Sequence, residues 1–224
     1  MKSIKTLLIC IVLVMPKLAV ADVMEDVIQL QKRWAEVNYT LKSKEQNSAF
    51  ELLITDADKV VASYPSAAEA WIWRGIINSS FAGAKGGFGA MSFAKDAKAD
   101  FEKAMTINDS ALSGSAYTSL GTLYFKVPGW PIGFGDEDKA KEMLETALTL
   151  NPDGIDSNYF YAEFLRDQRR YDKAEQYLVK AQQAPERPNR PLADKGRHDE
   201  IEQSLVKVRQ QLSKKNSASI TDRR

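Results

Sequence analysis

Residues 140–147, AKEMLETA, and 174–181, AEQYLVKA, put alanine, a large apolar residue and alanine at one spacing: Ala140, Leu144, Ala147, then Ala174, Leu178, Ala181. Residues 97–104, AKADFEKA, do the same with Ala97, Phe101 and Ala104. Pro152 and Pro185 follow the two later copies, and Asp109 stands where the earliest would carry its proline. Steps of four and three residues set all three side chains on one face of an α-helix. The alanines let a neighbouring helix approach closely, while the larger residue fills the space beside them. Each copy has a candidate partner helix upstream: Trp71-x3-Gly75, Leu120-Gly121-x2-Tyr124, and the stretch around Ala162. Gly75, Gly121 and Ala162 are therefore read as packing positions.

The same periodicity runs through nearly all of the rest. Val23, Val27, Leu30, Trp34, Val37 and Leu41 form one apolar stripe. Phe50, Leu53, Ile54, Ala57, Val60, Val61 and Tyr64 form a second, which stops at Pro65. No segment has the alternation of a half-buried strand, so the fold class is all-α. A recurring hairpin of two such helices resembles the tetratricopeptide repeat, a unit of about 34 residues. The resemblance covers residues 66–186 as three repeats and implies a helical-hairpin solenoid. It leaves 22–65 as a degenerate N-terminal hairpin, 187–213 as a linker and C-terminal capping helix, and 214–224 as a disordered tail. Ile201, Leu205, Val208 and Leu212 form the stripe expected to cover the last repeat, since a solenoid needs such a cap to stay soluble.

Residues 1–21 have the layout of a secretory signal peptide. Lys2 and Lys5 precede an apolar run from Leu7 to Met15, too short to span a bilayer. Pro16 breaks the helix, and Ala19-Val20-Ala21 stands before Asp22. Cleavage between Ala21 and Asp22 is expected, giving a periplasmic product with no stable membrane insertion. That product has 28 basic and 30 acidic residues and has lost Cys10, the single cysteine. A thiol-free chain is compatible with an oxidising compartment. Ile9 before Cys10 departs from the small residue that precedes a lipoprotein cysteine.

The full chain has 224 residues, 44% hydrophobic and 27% charged, long enough for a sizeable core. With 31 basic residues against 30 acidic, charge gives no reason to expect a nucleic-acid partner. One cysteine and one histidine exclude a disulfide framework and most metal and acid–base templates. His198, beside Arg197, Asp199 and Glu200, has no second histidine near it in sequence and is read as a solvated side chain. The glycine-rich GAKGGFG at 83–89 follows a helix rather than a strand and lacks the ending of a phosphate loop. No catalytic residue, metal site or cofactor is assigned. The chain is expected to bind rather than catalyse.

Two places break the repeat register. Ala162 and Ala174 are 12 residues apart, but Gly121 and Ala140 are 19 apart and Gly75 and Ala97 are 22 apart. The excess falls in 83–89 and in PGWPIGFG at 128–135, which together hold seven of the 12 glycines. Equivalent turns of a solenoid lie along one edge, so the two loops are expected to be neighbours presenting Lys85, Phe88, Trp130 and Phe134 as a binding rim. The alternative is that these aromatics fold inward and plug the core. Counted from the packing positions, the concave face is expected to include Ile72, Ile76 and Ser79, then Thr118, Thr122 and Phe125, then Tyr159, Glu163 and Arg166. That face is mainly apolar and hydroxylic, where peptide-carboxylate clamps need a set of Lys, Arg and Asn. It suits an apolar peptide, a small apolar ligand or another helix, the capping helix included. The segment Arg187-Pro188-Asn189-Arg190-Pro191 is expected to pass, extended, over the groove edge.

The PGWPIGFGD insertion, followed by a regular A-x3-L-x2-A helix, is similar to bacterial periplasmic repeat proteins. More distantly it is similar to the repeat component associated with tripartite (TRAP-type) periplasmic transporters. The closer likeness spans about residues 115–186. It implies an exported scaffold or adaptor that binds another protein or peptide. The distant one implies a small-ligand-binding accessory component of a substrate transporter.

Overall fold

The apolar stripes become nine α-helices among the described residues, packed as successive hairpins. The computed structural model describes the backbone of residues 17–87 and 89–221 and the side chains of 23–87 and 89–215. Residues 1–16, with Cys10 and most of the expected signal peptide, lie outside the described residues, as do Phe88 and 222–224. The helices are α1 (Lys17–Thr40), α2 (Ser43–Ser63), α3 (Ala68–Lys85), α4 (Ala90–Ile107), α5 (Ala111–Lys126), α6 (Glu137–Leu150), α7 (Ile155–Asp167), α8 (Tyr171–Gln182) and α9 (Pro191–Thr221). Local signals set several ends. The Asp136 carboxylate accepts the Lys139 N–H at 3.1 Å and caps α6, whose first turn carries Glu137 and Asp138 against the helix dipole.

Within the array α3 packs on α4, α5 on α6 and α7 on α8. All nine positions of the alanine–large–alanine pattern, from Ala97 to Ala181, are completely buried. Gly75 shows why a small residue is needed opposite: a Cβ there would stand 2.6 Å from Phe101 Cε1. The equivalent distance from Gly121 to Leu144 Cγ is 2.8 Å. These separations are well inside van der Waals contact, so the helix pairs are as close as their backbones allow.

The two insertions have different fates. The first does not form the long glycine loop expected over 83–89. Instead α3 continues through Gly83 to Lys85 and α4 starts at Ala90, so each has 18 residues where α7 and α8 have 13 and 12. A single glycine is tolerated inside a helix; the stop comes at Gly86 and Gly87, whose φ of 61° and 63° lie in the left-handed region that favours glycine. The second insertion is a true loop, residues 127–136, between α5 and α6. At the other end, α9 does not give way to a tail at 214. It continues to Thr221, because no glycine or proline interrupts the sequence after Gly196.

Apolar residues form two clusters. One follows the repeats from α3 to α9, and the other joins α1, α2 and α3. Trp71, Ile76, Phe93 and Leu112 pack against both. Ala193, in the first turn of α9, belongs to the N-terminal cluster. Gly196 lies so close to Tyr39 of α1 that a Cβ would stand 2.4 Å from the Tyr39 Cδ1. The last helix therefore returns to the first, and the array closes on itself. Among the described residues no helix is long and apolar enough to cross a membrane.

Candidate functional site

Where α9 returns to α1, the inner side of the array holds a partly open cavity of about 490 Å³. Trp34 of α1, Trp73 and Ile76 of α3, and Phe160 of α7 give it apolar walls. The start of α5 contributes Leu112, Ser113, Ser115, Thr118 and Ser119. There Leu112, Ser113 and Gly114 have φ of 48°, 56° and 75°, a left-handed turn that two side-chain-bearing residues adopt only at a cost. The linker and α9 add Arg187, Arg190 and Arg197.

The linker does not run extended, as its prolines suggested. The Arg190 N–H donates to the Arg187 carbonyl at 2.9 Å, and this turn points both side chains into the cavity lining. Asp156, in the first turn of α7, accepts from Arg187 Nη1 at 2.6 Å and from Arg197 Nε at 2.8 Å. Arg187 also donates through Nε to Asp194 Oδ1 at 2.6 Å, and Arg197 pairs with Glu200. The Arg197 guanidinium lies 4.5 Å from the centres of both the Tyr159 and Phe160 rings. Burial opposes the charge on Asp156, but Arg197, Arg187 and Arg190 overcome it and hold the carboxyl well below the usual carboxylate range. Burial pushes the nearby Tyr39 hydroxyl up to about 12.

Arg190 is different. No carboxylate among the described residues stands within ion-pair distance of it. Its Nε is buried without a hydrogen-bond partner. Its guanidinium lies over Trp73, 5.1 Å from the ring centre, and 6.0 Å from the Trp34 ring. Burial, then the like charge of Arg187, pull its pKa down to about 10 against the opposing effect of Asp156 and Asp194. The Trp73 indole N–H, itself buried, also lacks an acceptor, whereas the Trp34 indole donates to Ser80 Oγ at 2.8 Å.

The residues expected on the concave face do not stay together. Ile76 and Thr118 line the cavity. Ile72 does not: α3 is packed by α1, α2, α4 and α5, and Ile72 is wholly enclosed in the core. Tyr159, Glu163 and Arg166 are covered by α9. Ser204 of that helix donates to Glu163 Oε1 at 2.8 Å and accepts from Arg166 Nη1 at 3.1 Å, while Arg166 and Glu163 pair at 2.7 Å. The capping helix is thus the occupant of the third repeat's inner face. Phe125 packs edge-on against Phe164 at 5.8 Å, and the Thr122 hydroxyl donates to the Thr118 carbonyl at 2.8 Å. His198 is partly exposed at the start of the cap.

The expected rim divides in the same way. Lys85 lies 5.0 Å from the Phe81 ring centre and 3.9 Å from Glu51. Phe134 turns inward, edge-on to Tyr124 at 6.0 Å. Trp130 turns outward and is 90% exposed, with Ile132 beside it 73% exposed. Their loop is held by N–H donation from Gly135 to the Pro128 carbonyl at 3.0 Å and from Asp136 to the Tyr124 carbonyl at 2.9 Å. A further bond runs from Gly133 N–H to the Gly129 carbonyl at 3.1 Å. One aromatic anchors the loop, and the other is displayed by it.

Trp34, Trp73, Asp156, Arg187, Arg190 and Arg197 were not assigned to a site from the sequence. Trp34 carried a legible signal as a stripe residue. Arg187 and Arg190 were expected only as part of a linker over the groove edge, and nothing pointed to their partners, because Arg187 and Arg197 meet Asp156 across 31 and 41 residues of chain.

The model of the tetratricopeptide repeat matches residues 132–189, from the inserted loop through α6, α7 and α8 to the linker. A thermophilic TPR protein of Thermus thermophilus is similar in structure, with a TM-score of 0.52 at 15% identity, over 83% of this chain and 93% of that one. At that identity the likeness is one of fold. MamA gives a TM-score of 0.42 at 20% identity over 78% of this chain and 95% of its own. PilF of Pseudomonas aeruginosa gives 0.34 at 16% identity over 87% and 92%. No curated protein matches the sequence.

Proposed function

We propose that this tetratricopeptide-fold chain is an exported, periplasmic scaffold that holds another protein through the tip of the 127–136 loop. The observation that carries the reading is Trp130: a large indole almost fully in water, next to exposed Ile132, on a backbone fixed by four hydrogen bonds. An aromatic on a pre-ordered loop loses little entropy on binding, which suits an interface anchor. Its apolar surface gains most when a partner covers it. Binding rather than turnover is the general role of repeat scaffolds, whose stacked units present extended surfaces.

The test is a partner recovered by crosslinking in the periplasm and then measured against purified protein. Trp130→Ala is expected to weaken that complex by about 2 kcal/mol, as hot-spot truncation does. Its melting temperature should stay unchanged, since the exposed ring contributes little burial. An unchanged dissociation constant removes the loop tip from the interface. The export step has its own measurement. The basic start, short apolar run and Ala-x-Ala of residues 1–21 lead to a mature protein beginning at Asp22. N-terminal mapping that finds Met1 in a membrane fraction would overturn the periplasmic part alone.

A further inference from the structure

We propose that the cavity binds a small monocarboxylate with an apolar body, its carboxylate seated on the Arg190 guanidinium. The site is separate from the loop tip, because no residue of 127–136 lines the cavity. The inference begins with the ion pairs. Asp156, Asp194 and Glu200 are held by Arg187 and Arg197, which leaves Arg190 as the cation in the lining that pairs with none of them. Arg190 is half-buried and feels Asp156 and Asp194 only from beyond contact distance, and a guanidinium in a cavity lining with no carboxylate in contact points to an anionic ligand that supplies that contact. Trp73, only 2% exposed, belongs to the same wall, and its indole N–H has no acceptor within the protein.

The rest of the cavity specifies the other half of the ligand. Trp34, Ile76 and Phe160 offer apolar surface, and the α5 hydroxyls of Ser115 and Ser119 give it a polar margin. A volume of about 490 Å³ falls in the range of small-molecule sites. Asp156 in the same lining, with Asp194 and Glu200 on its neighbouring arginines, repels added negative charge, so a monocarboxylate fits better than a phosphate or a dicarboxylate. A site of that volume suits a small molecule better than a polypeptide segment.

Isothermal titration of the mature protein with octanoate and with octanamide tests the charge requirement without any variant. Octanoate is expected to bind, with octanamide weaker by roughly tenfold or more. Equal binding of the two, or binding of neither, overturns the proposal. Arg190→Gln is expected to lose octanoate by a similar factor when binding is measured on the folded fraction, whatever the loss of its stacking on Trp73 and Trp34 does to the melting temperature. If Arg190→Gln melts lower and binds octanoate unchanged, Arg190 is a structural residue stacked on two tryptophans and the site is refuted. A short apolar peptide with a free C-terminus, beside its amidated form, separates the sources of the carboxylate. Binding of the free form in preference to octanoate makes a protein tail the occupant and overturns the small-molecule assignment. Trp130→Ala should leave octanoate binding unchanged, so this site and the loop-tip reading stand or fall separately.

Discussion

Replacing Phe101 with alanine is expected to lower the unfolding free energy by about 3–5 kcal/mol, the range for a large aromatic removed from a packed core. The ring is completely buried and fills the space beside Gly75, where even a methyl group would clash. Ala97 and Ala104 on the same face already hold α4 close to its neighbour, so the helices have little room to collapse into the gap. Neighbouring repeats stabilise one another, and the loss should be felt along the array as one lowered transition. Urea unfolding measures it. Gly75→Ala is expected to destabilise wild type, yet to recover part of the loss in the Phe101→Ala background, because its Cβ then enters vacated space. Additive losses in the double variant would mean that the two residues do not share the contact described here.

Asp156→Ala comes next, with an expected loss of about 3 kcal/mol. Removing one partner of a buried ion pair costs more than the pair is worth, because the other charge is left in place. Here two guanidiniums lose a partner, and Arg197 is only 8% exposed. Glu200 and Asp194 remain to compensate in part, and the Asp156 side chain is 30% exposed, which places the loss at the lower end of the range. The loss should concentrate at the closure, so amide exchange should speed up most at the start of α9. The carboxyl is held below its ordinary value, so its contribution is complete above the unfolded-state pKa of about 3.9 and is lost as pH falls through the lower, folded one. The difference between wild type and variant should therefore persist at about pH 5 and close only in stronger acid. A difference already gone at that pH would mean that the two arginines do not hold the Asp156 charge.

Much of the repeat packing was legible because its signal is local. Ala140, Leu144 and Ala147 share a helix face whatever the rest of the chain does, and the structure buries all three completely. Loop geometry was less legible. Phe134 and Trp130 stand four residues apart in one glycine-rich stretch, and composition treats them alike. The loop's backbone hydrogen bonds send one against Tyr124 and the other into water. Ile72 and Ile76 present the same contrast on a helix. One is enclosed by four neighbouring helices, while the other, one turn on, reaches the cavity.

The amino-acid sequence by itself determined the all-helical class, the hairpins and the small-against-large contacts within them, because each depends on spacings of three and four residues along one helix. Only the tertiary structure decided that the array closes on itself. That outcome depends on the curvature accumulated over the whole stack, a sum of small rotations between repeats that no short spacing encodes. It brings Ala193 into the N-terminal core and Gly196 against Tyr39, and it sets Arg187 and Arg197 on an aspartate far away in the chain. The same closure lays Arg190 against two tryptophans with no acid in contact, a meeting of distant residues that no short spacing encodes.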